Sequence, residues 1–286
     1  MQRVGEVPLA WSRLDVEQKL GFHGGRYTQA NMLLSGLIAA VLTVVFYTAL
    51  IPLHGTRFAA GAAMFTDNGI GQYATCLLTA WSLVILFLKW RKLALQRRAL
   101  EHLVVPGEHD FVLSAANVDE VTQRIYATVD DPKHFLLFNR IMIALSNLRN
   151  LGRVSDVDDI LRSQADGDES SMYSTYSIVE GFVWGIPVLG FIGTVVGLSE
   201  AIGGFSRVLA QASDISQLAE ALKTVTAGLS KAFETTLVAL VAALVVQLLL
   251  TFLKKAEEDF LDACGEYCMR QVVSKLRIMP FERETG

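Results

Sequence analysis

The residues with the most unusual chemistry lie in one apolar run, GIPVLGFIGTVVG, at positions 185–197. It contains four glycines, Pro187 and Thr194, which are poor choices for the interior of an ordinary helix. In a helix its small residues would recur every three or four positions and share one face. That face consists of Gly190, Gly193, Gly197 and Ala201. It would let another backbone come close, and Gly193 with Gly197 forms a GxxxG pair.

A second apolar run carries a similar stripe of small residues. They are Ala232, Thr235, Thr236, Ala239 and Ala243. Two interpretations of the paired stripes are open. Either the small faces pack two helices of one chain tightly, with threonine hydroxyls bonded to backbone carbonyls, or they line a hydrated path shared with a partner chain.

No group that titrates near neutral pH lies in the middle of either run. A threonine hydroxyl holds water or coordinates a cation, but it does not exchange a proton at neutral pH. Glu234 lies at the outer end of the second run, where Lys231 is close enough to pair with it at i, i+3. The candidate ion path is therefore Thr194, Thr235, Thr236 and Glu234. If ions cross here, a partner chain is expected to supply the carrying carboxylate, because proton-moving membrane proteins normally carry an ionisable residue at depth.

The composition places these runs in a lipid bilayer. Of the 286 residues, 52% are hydrophobic and 19% charged, and the mean hydropathy of +0.38 is high for a soluble domain. Four uncharged runs are each long enough to cross a hydrocarbon core of about 30 Å. They are residues 31–53, 68–88, 181–199 and 235–253.

The sequence offers no constellation typical of an enzyme. It has no P-loop, no nucleophile with its base and no cluster of metal-binding residues. We therefore predict no catalytic residue, no metal and no cofactor. The formal net charge of −4 gives no reason to expect a nucleic-acid partner.

Lysine and arginine set the predicted orientation. Lys89, Arg91, Lys92, Arg97 and Arg98 follow the second run, whereas the loop between the first two runs carries Arg57 alone. The positive-inside rule then places both termini and residues 89–177 in the cytoplasm. Trp90 suits an interfacial anchor beside them.

The predicted fold is an all-α membrane protein with four transmembrane helices and a helical cytoplasmic block between spans two and three. Its predicted domains are an N-terminal helix (1–30), hairpin one (31–88), the cytoplasmic block (89–177), hairpin two (178–255) and a helical tail (256–286).

Shorter elements are predicted within these domains. They are an amphipathic helix over 9–27, helices starting near Asn117 and at Asp131-Pro132, a short acidic helix capped by Ser155, and a polar loop at 163–171. Spans one and two lack a small-residue stripe and are interpreted as lipid-facing struts.

The two stripes resemble the paired motifs of the MotA/TolQ/ExbB proton-channel family. Residues 187–197, PVLGFIGTVVG, are similar to the pattern P-x-LG-xx-GT-V-x-G, and residues 228–240, GLSKAFETTLVAL, are similar to GI-xx-AL-xx-TA-x-GL. The resemblance covers about residues 178 to 255. The chain departs from the family at Ala239, which replaces a usual glycine, and at Val245, which replaces a usual proline.

The resemblance implies a homopentamer around two copies of a single-span protein of the MotB/TolR/ExbD kind, whose span carries an aspartate. Flow of protons, or of sodium, past that aspartate would turn the pentamer in the bilayer. Thr194 and Thr236 match the family's two threonines. The small residues would pack helices and face the partner; with Pro187 they are Gly190, Gly193, Gly197, Ala201, Ala232, Ala239 and Ala243.

The resemblance thus implies a channel-forming, stator-like subunit of an ion-driven rotary motor in a bacterial inner membrane, and a protein that is not an enzyme. Four spans are typical of the MotA branch, whereas the wording of the motifs is nearer to TolQ and ExbB, so the driven process is not assigned. Two alternatives from other classes are a membrane scaffold and a small-solute transporter. A transporter would commonly show two similar halves, and the two hairpins here are not alike.

Overall fold

The structure, a computed structural model, describes residues 8–19, 21–22, 24–66, 69–106, 111–151, 154–211 and 215–276. Over these ranges the chain is helical, with two isolated bridges, Leu9–Val129 and Leu113–Leu276, and no sheet. The helices are α1 (Trp11–Leu14), α2 (Val16–Lys19), α3 (Met32–Leu50), α4 (Ala59–Thr66), α5 (Ile70–Arg97), α6 (Val118–Thr128), α7 (Leu136–Leu151), α8 (Val154–Gln211) and α9 (Ile215–Gln271). The all-α prediction is confirmed.

Four of these helices are long and apolar enough to cross a membrane. They are α3, α5, α8 and α9; α8 and α9 contain the predicted runs 181–199 and 235–253, and α3 and α5 overlap the other two. The prediction of four spans is therefore confirmed. The cytoplasmic placement of residues 89–177 and of the termini stays a prediction.

Helices α8 and α9 extend far beyond the runs that predicted them. They contain 58 and 57 residues, whereas about 20 suffice for a bilayer. The predicted polar loop at 163–171 is wrong, because this segment lies inside α8. One charged residue of this segment connects α8 to α7, because Asp168 accepts a 2.7 Å hydrogen bond from the buried Arg140 of α7. The side chain of Ser155, the predicted cap, lies outside the described residues.

The predicted amphipathic helix over 9–27 is also wrong. The segment forms two single turns, α1 and α2, separated by Asp15 in an extended conformation. Glu17 explains the interruption: its carboxylate accepts hydrogen bonds from the main-chain N–H groups of Gly25 at 3.3 Å and Asn31 at 2.7 Å. Long-range hydrogen bonds thus hold the segment in a folded-back path that one continuous helix could not follow.

The start of α6 was predicted closely, whereas the predicted start of α7 at Asp131-Pro132 is a 3₁₀ turn and α7 begins at Leu136. Helix α6 begins after Asn117 as expected, yet Asn117 does not cap it. Its amide donates instead to the Val112 carbonyl at 2.8 Å. Asp131 accepts from the Lys133 N–H and starts a 3₁₀ turn, Pro132–His134, and α7 follows from Leu136.

The chain divides into two compact units, and α5, α8 and α9 contribute to both. We call one the polar unit; it comprises Met1–Asn31, Phe87–Thr175 and Leu253–Gly286. Its core consists of buried apolar residues from α6, α7 and α9: Val121, Ile125, Leu137, Phe138, Ile141, Leu145 and Phe260. Trp11 joins this unit by stacking on His134, with ring centroids 5.2 Å apart.

The other, which we call the apolar unit, comprises Met32–Leu86 and Tyr176–Phe252. Trp81 of α5 lies against Gly36 of α3 and donates a 3.0 Å hydrogen bond to the Ser35 hydroxyl. The same indole ring meets Phe182 of α8, with centroids 5.1 Å apart. Helix α5 thus contacts both α3 and α8 through Trp81. The interpretation of spans one and two as lipid-facing struts stays a prediction.

Candidate ion-conducting site

The glycine stripe of α8 lies directly against the small stripe of α9 in the apolar unit. A Cβ atom added to Gly190 would clash with the Ala239 methyl group, and one added to Gly193 would lie 2.8 Å from Thr235 Cγ2. One turn further along, a Cβ on Gly197 would lie 3.3 Å from that of Ala232. Successive contacts move toward the C-terminus of α8 and toward the N-terminus of α9, so the two helices pack antiparallel. A larger side chain at these positions would force the helices apart.

Two threonine hydroxyls meet in this contact. Thr194 Oγ1 lies 3.1 Å from the Ala232 carbonyl of α9, and Thr236 Oγ1 lies 3.0 Å from the Gly190 carbonyl of α8. The two hydroxyls are also in hydrogen-bond contact with each other. The two hydroxyl groups and the two carbonyl oxygens therefore form one hydrogen-bond network. This network needs no group from outside the chain, and it joins α8 to α9. Both side chains are half-buried, which leaves each with one accessible side.

This segment also matches a known family. The model of the MotA/TolQ/ExbB proton channel family matches residues 137–264. This segment is a MotA/TolQ/ExbB family domain. It contains both stripes, both threonines and most of α7, and is thus wider than the predicted resemblance. The suspected recognition is confirmed. A search of curated proteins and a search of solved structures each found no match.

The four apolar helices and the match over residues 137–264 together support a membrane protein that contains a domain of the proton-channel type. The family consists of channel and energy-transducing proteins.

The other two residues of the predicted ion path lie in different surroundings. Thr235 is buried, and its hydroxyl donates to the Lys231 carbonyl one turn earlier at 2.9 Å. Glu234 is half-buried and accepts a 3.3 Å hydrogen bond from Ser230. The predicted pairing of Glu234 with Lys231 is not found among the ion pairs of the described chain. Within the family domain the structure therefore brings together Thr194 and Thr236.

The predicted packing residues line the same contact. Ala201, Ala232, Ala239 and Ala243 are all buried, and Ala201 meets Gly228 across the helix pair. Ala239 and Ala243 form a small core with Ile186, against which Leu78 of α5 packs. Pro187 lies inside α8, and the helix continues through it.

Polar residues on α5 were missed by the sequence analysis. Gln72, Thr75 and Ser82 are fully buried in the apolar unit. The two hydroxyls bond to carbonyls one turn earlier, at 2.9 Å and 2.8 Å. Neither amide atom of Gln72 has a hydrogen-bond partner among the described residues. The sequence did contain a pattern that could have revealed them. Gln72, Thr75, Thr79 and Ser82 recur every three or four residues and so share one face of an uncharged helix.

Proposed function

We propose that this chain is the channel-forming, stator-like subunit of a proton-driven rotary motor in a bacterial inner membrane. The observation that carries the proposal is the Thr194–Thr236 pair. It places two hydroxyls at one level between two apolar helices, inside a domain of a proton-channel family. A pair of this kind offers lone pairs to water or to a passing carboxyl group without titrating itself.

The carrier of the ion is proposed to come from a partner. The uncharged runs of α8 and α9 contain no carboxylate, and a group that carries protons must change its charge near neutral pH. A single-span protein with an aspartate in its span would supply that group. Thr194 and Thr236 would hydrate it as it passes, and Thr235 would hold the helix contact beneath them.

Assembly is proposed to use the large apolar residues of α8 and α9. Because the small stripes already face each other, the exposed faces carry bulkier side chains, among them Phe191, Val195, Phe233 and Leu240. Exposed apolar area on this scale requires lipid or protein to cover it. We propose lipid, four further copies of this chain and two partner copies as the cover, with both termini in the cytoplasm.

The direct test measures proton flux with the full chain and its single-span partner reconstituted in liposomes. Thr194→Val and Thr236→Val should each lower the flux by about tenfold, because loss of one hydroxyl contact is worth ~1 kcal/mol or slightly more. Thr43→Val is the matched control. The Thr43 hydroxyl bonds within α3 to the Ala39 carbonyl at 2.8 Å. The proton flux of the Thr43→Val variant should therefore equal that of the wild type.

Native mass spectrometry of the same samples separates conduction from assembly. Five copies of the 31.4-kDa chain with two partner copies are expected for the wild type and both variants. Unchanged flux in both threonine variants would contradict the proposal and favour a scaffold, in which the hydroxyls only fasten α8 to α9. A monomer or dimer that binds no single-span protein would also contradict it.

A further inference from the structure

A cavity in the polar unit collects an unusual set of charges. It has a volume of about 130 Å³ and lies between α2 and the last turns of α5. Four basic side chains line it, namely Lys19, Arg91, Lys92 and Arg98, together with the acidic Asp15. Neither the helix stripes nor the proposed channel explains why these cations converge.

Only one of the four basic side chains is neutralised by an ion pair. Lys92 is buried, and its Nζ lies 2.5 Å from Glu17 Oε2 and 2.7 Å from the Gln29 carbonyl. Lys19, Arg91 and Arg98 are exposed and have no ion pair within the described chain. Three like charges around one cavity repel each other unless a counterion binds among them.

Asp15 does not serve as that counterion. Its carboxyl group is buried, and neither oxygen accepts a hydrogen bond from the described residues. Burial raises the pKa of the Asp15 carboxyl, although the nearby Lys92 opposes the shift. Asp15 forms no ion pair with Lys19, Arg91 or Arg98 within the described residues, so these three cations have no acidic partner at the cavity.

The position of the cavity along α5 indicates the source of an anion. The uncharged run of this helix ends at Leu88, and Arg91 follows within one turn. Trp90 is exposed between them, as a side chain at the headgroup level of a bilayer would be. Basic pockets beside a transmembrane helix are typical sites for acidic headgroups, and arginine matches the geometry of phosphate.

We propose that this cavity binds a phosphate group through Lys19, Arg91 and Arg98, and that the phosphodiester of an anionic phospholipid is its source. The site would fasten the N-terminal segment and the end of α5 to one lipid headgroup. It does not depend on the proposed channel function, because its lining residues lie outside α8 and α9. Free phosphate carries the same chemistry and is distinguished by the experiment.

The experiment uses the full chain in nanodiscs of equal parts phosphatidylglycerol and phosphatidylcholine, followed by native mass spectrometry of the lipids that remain bound. The test variant combines Lys19→Gln, Arg91→Gln and Arg98→Gln. The matched control combines Arg124→Gln, Arg162→Gln and Arg270→Gln, three exposed arginines in i, i+4 pairs elsewhere. It removes the same charge without touching the cavity.

Phosphatidylglycerol should be retained by the wild type and by the control, and each removed cation should weaken its retention by about fivefold. A second arm measures thermal unfolding in phosphatidylcholine nanodiscs with millimolar phosphate against chloride at equal ionic strength. Stabilisation of the wild type but not of the triple variant would assign the site to free phosphate. Equal retention of phosphatidylglycerol by the test and control variants, with no effect of phosphate, would overturn the proposal.

Discussion

The polar and apolar units both bury polar side chains between helices, but they satisfy them differently. In the polar unit the buried cations Lys89, Lys92 and Arg140 are each paired with an acidic residue from a distant segment. In the apolar unit the buried polar groups are mostly hydroxyls, and each of these hydroxyls bonds to a main-chain carbonyl. The difference follows from desolvation. Burying a charge costs several kcal/mol of free energy unless a counterion replaces water, whereas a buried hydroxyl needs only one acceptor.

The buried ion pairs connect the polar unit across its chain segments. Lys89 of α5 and Glu257 of α9 are each almost fully buried, with Nζ 3.3 Å from the carboxylate oxygen. Thr28, from the segment before α3, donates a hydrogen bond to the same carboxylate. In the apolar unit, by contrast, Thr75 and Ser82 bond within their own helix. The polar unit therefore depends on pairs of residues, and the apolar unit on close backbone approach.

The largest expected effect comes from breaking a buried pair. Glu257→Ala leaves the Lys89 ammonium group buried without its counterion and should lower the free energy of unfolding by about 3–5 kcal/mol. Denaturant unfolding in detergent measures it. Glu120→Ala removes an exposed pair with Arg124 and should cost at most about 1 kcal/mol. If the double variant Lys89→Met with Glu257→Met is no more stable than Glu257→Ala, the unpaired charge is not the cause.

A smaller effect is expected from filling the helix contact of the apolar unit. Gly193→Ala places a methyl group 2.8 Å from Thr235 Cγ2 and should destabilise the chain by about 1–3 kcal/mol. Gly181→Ala lies on the same helix with nothing within 4 Å of the new methyl group. It should stabilise the chain by up to about 1 kcal/mol through helix propensity. Equal thermal unfolding temperatures for the two variants would contradict the close contact.

The smallest effects should come from two carboxyl groups of the polar unit with opposite pKa shifts. Burial tends to raise the pKa of Asp130, but the N–H groups of Trp11 and Ser12 donate to its carboxylate and lower it overall. Its ionised form therefore stabilises the fold at neutral pH, and this contribution is lost as the pH falls through the lowered pKa. The raised pKa of Asp15 works in the opposite direction, since ionisation between its ordinary and raised values weakens the fold.

At neutral pH, Asp130→Asn should therefore destabilise the chain and Asp15→Asn should stabilise it. The change for Asp130 should stay below about 1 kcal/mol, because its carboxylate is exposed to water. Unfolding temperatures in phosphatidylcholine nanodiscs between pH 4 and 8 measure both, without phosphate in the buffer. A shift of the same sign in the two variants would contradict the contrast.

Much of the apolar unit could be predicted from the sequence. Apolar runs and a spacing of three to four small residues are local properties, so the four spans and the two stripes were visible without a fold. The α5 face of Gln72, Thr75 and Ser82 was equally visible in spacing, but it was overlooked because spans one and two lack glycine stripes. The sequence left open what each small-residue stripe would contact, because spacing along one helix does not identify the helix that packs against it.

The polar unit was predicted less well, for a physical reason. Lys89 and Lys92 were predicted as part of a basic flank of a membrane span, yet both are buried in ion pairs. Their counterions, Glu257 and Glu17, lie far away along the chain. The broken helix over 9–27 has the same origin, because the hydrogen bonds of Glu17 compete with local helix formation.

The sequence by itself determined what depends on neighbours along the chain, namely helical content, four membrane-length apolar segments and two small-residue faces. Only the tertiary structure decided which groups lie together: glycine against alanine, Thr194 against Thr236, and each buried lysine against its glutamate. The physical reason is range. Helix periodicity and hydropathy act over a few residues, whereas the burial of a charge or the meeting of two hydroxyls needs partners that only the folded chain brings together.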